Sequence, residues 1–342
     1  MIEIDGSWGE AGGQILRTAT ALSVLLKKPV RVFNIRAKRP KPGLKTQHLM
    51  GILALKELSA GRLLGAELGS QEIRFWPGEI RKRQIEIKIP TAGSIGLVLQ
   101  TLQLACLGSE KPVRIRIQGG ADFGKFAPPI PWLQRVLLPL LEKMGYRIEI
   151  KSLKSGFYPK GGAETLVRLE PKLPLKPLKL LDQGTPEIHG LSIASLHLKP
   201  REVAERQARS AEEILKQIAP CQIETKYVDA LCPGSGLVLW LSAPPALLGS
   251  SGIGERGVRA EEIGERAAKE LMEDFKKGAC VDRWATDQLL PFLALAAGKS
   301  ELAIPELTSH AETNIWVIRK FLPAEFRVEK RDGRLFLLVS PP

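Results

Sequence analysis

Chemistry in this chain could begin at a histidine. His310 stands in "ELTSHAETNIWVIRKFL", Glu306 to Leu322, and is one of only four histidines. Ile315, Ile318 and Leu322 recur at helical spacing, which predicts a helix with one buried face. Ser309 with Glu312 three residues on forms the S-x-x-E pattern of a capping box. That makes Ser309 the expected N-cap and His310 the first helical residue. The positive end of a helix disfavours an imidazolium, so the ring there stays neutral and can act as a nucleophile near neutral pH. The same helix end attracts phosphate. The pattern alone leaves a second reading open, in which His310 is simply a polar residue at a helix start.

Three other stretches carry polar groups in suggestive patterns. In "IDGSWGEAGGQILRT", Ile4 to Thr18, a glycine-rich loop holding Glu10 feeds a helix with Arg17 one turn in. Backbone N–H groups at such a junction can bind an anion. No Gly-Lys-Ser/Thr follows, so this is not the Walker pattern. In "NIRAKRPKPGLKTQHLMG", Asn34 to Gly51, the cations Arg36, Lys38, Arg39, Lys41 and Lys45 crowd a proline-broken loop ahead of Gln47 and His48. Arginine forks suit phosphate oxygens, and the alternative is a solvated basic loop. "GSSGIGERG" holds a GxGxxG at Gly252, Gly254 and Gly257. Because "PPALLGSS" separates it from the expected strand "GLVLWLSA", the strand–turn–helix context of a dinucleotide site is not expected.

The elements that must position these groups repeat along the chain. "GGQILRTATALSVLLKKPVRVFNI", "GSIGLVLQTLQLACLGSEKPVRIRI" and "WATDQLLPFLALAAGKSELAIPEL" each read as a polar or glycine-rich lead-in, an apolar helix, a short break and a strand. Each is followed by a second helix and two strands, the last pair joined by the hairpin signal "RDG". The expected unit is βαβαββ, present three times, and self-similarity of this kind outweighs any single-element reading. Residues 184–277 interrupt it with a proline-rich lead-in, strands and two charged helices. The expectation is an α+β fold. A large repeat-built domain spans 1–183 and 278–342, and a smaller inserted α/β domain spans 184–277.

Composition narrows the function class. The chain has 342 residues, 44% hydrophobic and 25% charged, enough to bury a large core. No apolar run reaches the length of a membrane span, and the N-terminus lacks a basic and then apolar leader. Cys106, Cys221, Cys232 and Cys280 lie far apart with no CxxC, which argues against a zinc site or disulfide framework and fits a reducing cytoplasm. A net charge of +13 favours a polyanionic partner such as RNA, DNA or nucleotide phosphates.

Taken together, "DGSWGEAGGQILRT", "SGFYPKGGAE" (Ser155 to Glu164) and "DQLLPFLALAAG" followed by "HAETNIWVI" resemble the RNA 3'-terminal phosphate cyclases, and the resemblance covers the whole chain. It implies ATP-dependent conversion of an RNA 3'-phosphate into a 2',3'-cyclic phosphate, through an adenylylated histidine matching His310 and an RNA(3')pp(5')A intermediate. It implies a divalent cation, Mg or Mn, at Glu10. Gln100, Pro128, Asp287 and Gln288 match positions near the nucleotide. Arg17, Arg36, Arg39, Gln47 and His48 match positions associated with the phosphates or the RNA end. The residues show no clear general base for cyclisation, with His48 one candidate. Trp8, Ala11, Pro131, Ser155 and Ala163 depart from the family's usual residues and put the loop contacts in doubt. The oligomeric state stays open, with a homodimer among the options. Two readings compete: a non-catalytic RNA- or ribosome-assembly protein of the same fold, whose branch lacks the histidine, and an enolpyruvyl transferase, which uses no nucleotidyl-histidine.

Overall fold

The computed structural model describes residues 1–124 and 127–341. Its strands form four sheets of four strands each. The first contains β1 (Ile2–Asp5), β2 (Val30–Phe33), β3 (Arg62–Leu64) and β4 (Ile73–Trp76), with α1 (Gly13–Leu26) and α2 (Thr46–Ser59) between strands. Its order is β1-β2-β4-β3, with β1 parallel to β2 and the other pairings antiparallel.

The second sheet contains β5 (Gln84–Ser94), β6 (Val113–Ala121), β7 (Arg147–Lys154) and β8 (Glu164–Glu170). Helix α3 (Ile95–Ala105) follows β5. A helical segment made of α4 (Ile130–Trp132), a π-helical turn (Leu133–Leu137) and α5 (Leu138–Lys143) precedes β7. The order β5-β6-β8-β7 has the same pairing senses as the first sheet. Strand β5 shows why its residues form a strand: Ile85, Ile87 and Ile89 are buried while Gln84, Glu86 and Lys88 face water, a period of two.

After the two-residue β9 (Lys179–Leu180) comes the sheet β11-β10-β12-β13, made of β10 (Glu187–Ser195), β11 (Cys221–Val228), β12 (Ser235–Ala243) and β13 (Ala246–Ile253). Helices α6 (Val203–Leu215) and α7 (Ala260–Lys276) pack on each other and on this sheet. Ile263, Ala267 and Leu271 recur at helical spacing to form the buried stripe of α7. The last sheet is β15-β16-β14-β9, with α8 (Arg283–Leu293), β14 (Ser300–Ile304), α9 (Ser309–Phe321), β15 (Glu325–Arg331) and β16 (Arg334–Ser340). Here β9 runs parallel to β14, and the other pairs are antiparallel.

Strand β13 (Ala246–Ile253) corrects the expectation that the GxGxxG does not sit immediately after a strand. Its small residues look like turn material, but they make room for neighbours. A Cβ on Gly249 would sit 2.4 Å from Val136 Cγ2, and one on Gly252 would sit 2.6 Å from Ile263 Cγ2. The GxGxxG therefore does follow a strand. Its first glycine, however, lies inside β13, where it admits Ile263 of α7, and does not form a turn against a ligand.

Helix α1 packs on α3 and on α9, α2 packs on α3, and α8 packs on α9. The N-termini of α1, α8 and α9 meet at one cavity, to which Gln14, Trp284 and His310 all contribute. Among the described residues, all four cysteines are free thiols and no helix is long and apolar enough to cross a membrane.

Candidate active site

The start of α9 fixes His310. The N-cap is Thr308, one residue earlier than the capping-box pattern suggested, and its hydroxyl accepts from Ala311 N at 2.9 Å. The same hydroxyl donates to Asp287 Oδ1 at 2.7 Å. Thr308 can thus serve two partners, and Ser309 is released to donate to Glu10 Oε1 at 2.5 Å. His310 becomes the second helical residue and stays within the first turn, where the field of the helix end acts.

Two oxygens converge on one nitrogen of the His310 ring. Glu10 Oε2 lies 2.8 Å from Nδ1, and Gln14 Oε1 lies 3.0 Å from it. An ionised carboxylate can only accept, so Nδ1 carries the proton and Nε2 keeps its lone pair. Burial holds the imidazole pKa below its ordinary value. The Glu10 charge opposes this, and the Arg17 and Arg39 charges reinforce it.

The loop carrying Glu10 is shaped by its neighbours. Ala11 is buried with φ of +50°, a backbone region that favours glycine. Gly13 is required by close approach, because a Cβ there would lie 2.1 Å from His48 Nε2. His48 is buried, and its Nδ1 accepts from Lys45 N at 3.2 Å, capping α2. Burial and the nearby Arg17, Arg36 and Lys45 charges push its pKa down to about 3. With Nδ1 accepting, the proton sits on Nε2, which therefore has no lone pair to take another. With Nδ1 committed to capping α2, His48 is a neutral group facing the glycine-rich loop, which weighs against its candidacy as general base.

The cavity has a volume of about 510 Å³. Of the residues singled out in the sequence, it gathers Arg17, Gln100, Pro128, Asp287, Gln288 and His310. Arg17 Nε donates to Gln100 Oε1 at 2.8 Å. Burial lowers the Arg17 guanidinium to about 10, so it remains charged at neutral pH. Burial, with the Glu10 and Glu306 charges, raises Asp287 to about 7 against the lowering effect of the Thr308 hydroxyl. Two buried polar atoms in the wall, Gln288 Oε1 and Trp132 Nε1, have no hydrogen-bond partner among the described residues.

Arg36, Arg39, Gln47 and His48 do not line this cavity. Arg39 Nη2 stands 3.5 Å from Glu10 Oε2 and would be 3.2 Å from a Cβ on Gly12. Arg36 braces its own loop, with Nη1 donating to Lys41 O at 2.7 Å and Gly43 O at 3.0 Å. Gln47 lies beside Gly93. Arg39 and His48 thus stand beside the Gly12–Gly13 backbone, Arg36 and Gln47 are held elsewhere, and Glu10 links Arg39 to His310 at the edge of the cavity.

Sequence reasoning missed Gln14 and the far wall of the cavity. That wall comes from β13 and α7 (Ser251, Gly252, Ile263, Arg266, Glu270) and from Trp284, whose Nε1 donates to Glu270 Oε1 at 2.8 Å. Gln14 lay inside a quoted motif. Gly252 and Trp284 also lay inside quoted stretches, but the α7 residues had no local signal, because they reach the cavity only when 187–276 packs beside the N-termini of α1, α8 and α9.

The family model for RNA 3'-terminal phosphate cyclase matches residues 8–328. Relatives bearing that name include one from Thermococcus kodakarensis, 47% identical over 338 residues, covering 97% of this chain and 96% of the relative. Another, from Pyrococcus abyssi, is 44% identical over 336 residues, covering 98% and 97%. A third, from Methanopyrus kandleri, is 42% identical over 342 residues, covering 97% and 96%. Among solved structures, the enolpyruvyl transferase NikO from Streptomyces tendae aligns at a TM-score of 0.40 with 10% identity, covering 98% of this chain and 47% of that one.

Proposed function

This chain belongs to the RNA 3'-terminal phosphate cyclases, a family of enzymes, and from that premise we propose that it converts an RNA 3'-phosphate into a 2',3'-cyclic phosphate at the expense of ATP, through an adenylylated His310. The observation that carries the reading is the pair of oxygens on His310 Nδ1, which leaves the Nε2 lone pair beside a cavity of nucleotide size. The same strand order in three sheets supports a large domain of three βαβαββ repeats over 1–183 and 278–342, with 184–277 inserted.

In the first step Nε2 attacks the α-phosphorus, a P–N bond forms and pyrophosphate leaves. Purine and ribose would sit among Gln100, Pro128, Trp284, Asp287 and Gln288. Burial raises Asp287 well above the usual carboxylate range, which lessens its repulsion toward the phosphates. In the second step an oxygen of the RNA 3'-phosphate attacks the same phosphorus and His310 leaves. Arg17, with Arg39 and Arg36 beside the glycine-rich loop, would offset the charge gathered there. In the third step the neighbouring 2'-OH attacks the 3'-phosphorus, AMP leaves and the hydroxyl proton passes to solvent. Attacker and phosphate share one sugar, so proximity supplies much of the rate.

Glu10 is the carboxylate that would hold a divalent ion. No group of three or more His, Cys, Asp or Glu side chains converges among the described residues, and magnesium is commonly held by one or two carboxylates with phosphate and water oxygens. Such an ion would neutralise the triphosphate.

A 3'-phosphorylated RNA incubated with ATP and magnesium should acquire an end resistant to phosphatase, and without ATP it should not. RNA that keeps a phosphatase-sensitive end, bound but unchanged, would instead favour the non-catalytic reading. Arg39→Ala should slow RNA-end use by about 10²-fold, the scale of one charge-stabilising donor, and slow self-adenylylation far less. Equal losses in both half-reactions would place Arg39 on ATP.

A further inference from the structure

Trp8 and Trp316 form a parallel stack, with ring centroids 4.8 Å apart and planes 5° from parallel. Trp316 lies on α9, two turns beyond His310. Trp8 lies in the loop that carries Glu10, and two residues of chain span at most about 7 Å. One face of Trp8 is covered by Trp316, yet the residue is still 38% exposed. The loop beneath it is fixed by Trp8 N donating to Asp5 O and by Ala11 N donating to Trp8 O. Cations surround the stack. Lys320 Nζ lies 5.2 Å from the Trp316 ring centre, Lys38 Nζ donates to Gly9 O, and Arg39 pairs with Glu10.

Resting on the RNA-end reading above, we propose that the outer face of Trp8 is the platform on which the 3'-terminal nucleobase of the RNA substrate stacks. An exposed, pre-ordered indole beside cations that can follow a phosphate backbone is the arrangement by which proteins hold single-stranded nucleic acid. Trp316 backs the platform and keeps it flat. A purely structural pair would gain more by burying both rings, and it would not need a basic surround. Trp8 sits on the same loop as Glu10, the partner of His310. The base would therefore dock while its own 3'-phosphate reached toward the reacting nitrogen. Stacking of this kind accepts any base, so the platform selects a single-stranded end and not a sequence.

The test is equilibrium binding of short 3'-phosphorylated RNAs, followed by anisotropy at low salt, with a normal or an abasic terminal nucleotide. For the unaltered protein, removing the terminal base should weaken binding about tenfold, the scale of one stacked base. Trp8→Ala should bind the normal RNA about tenfold more weakly and show little further loss with the abasic RNA. Trp8→Phe should recover most of the affinity. Equal affinity of Trp8→Ala and unaltered protein for the normal RNA, or an undiminished abasic penalty in Trp8→Ala, would overturn the proposal. Because the assay reads binding without turnover, it is separate from the cyclase reading, which fails on absence of the cyclic product.

Discussion

His310→Ala should transfer no label from α-labelled ATP to protein, a loss on the order of 10⁴-fold or more, as expected when a covalent nucleophile is removed. No other side chain is placed to substitute. His48 caps α2 with one ring nitrogen and carries its proton on the other. His189 lies on β10, stacked on Trp240, and His197 follows that strand. The variant should still fold. Its loss leaves Glu10 with Ser309 and Arg39 as partners, so no buried charge is orphaned. A half-exposed side chain of this kind is expected to cost about 1 kcal/mol or less. The check is label retained on denatured protein, stable to alkali and lost in acid, as a phosphoramidate requires. Label persisting in the variant, with a thermal midpoint matching the unaltered chain, would move the nucleophile elsewhere and leave His310 a helix-start residue.

The parts of this molecule that follow from local pattern were the most legible. Strand and helix alternation is visible in sequence because Ile85, Ile87 and Ile89 alternate with polar residues, while Ile263, Ala267 and Leu271 recur every four. The cap of α9 was placed one residue late because Thr308 and Ser309 have nearly equal capping preference. What separates them is Asp287, distant in sequence, which takes the Thr308 hydroxyl. Strand β13 was missed because glycine and serine mimic a loop, and their small size makes sense only once Val136 and Ile263 are seen against them. His48 looked like a base because sequence does not show burial or which ring nitrogen caps α2. The cavity's far wall was invisible for the same reason. Gly252 lay in a recognised GxGxxG, but that motif pointed to a turn against a ligand and not to a strand, and Ile263, Arg266 and Glu270 of α7 carry no motif at all.

The tautomer argument makes a second strong demand, on Glu10. Glu10→Gln should cut the plateau rate of self-adenylylation by about 10²- to 10³-fold, somewhat less than the loss seen when a carboxylate behind a catalytic histidine becomes an amide. An amide can turn its NH₂ toward Nδ1, which favours the tautomer protonated on Nε2 and removes the attacking lone pair. The pH profile should move as well, and its direction is fixed. Adenylylation needs the neutral ring, so the rate is lost as pH falls through the His310 pKa. Burial, Arg17 and Arg39 already hold that pKa below its usual value, and Glu10 alone among the named charges raises it. Removing the carboxylate charge should therefore shift the acid limb of the profile further toward acid even as the plateau drops. A role confined to holding a metal predicts something different: excess magnesium or manganese should restore the plateau, because a weakened site refills by mass action. Rescue by metal, or an acid limb that moves toward neutral pH, would mean that the carboxylate does not orient the ring. A depressed plateau, an acid-shifted limb and no rescue would tie the nucleophile to the 2.8 Å contact between Glu10 and Nδ1.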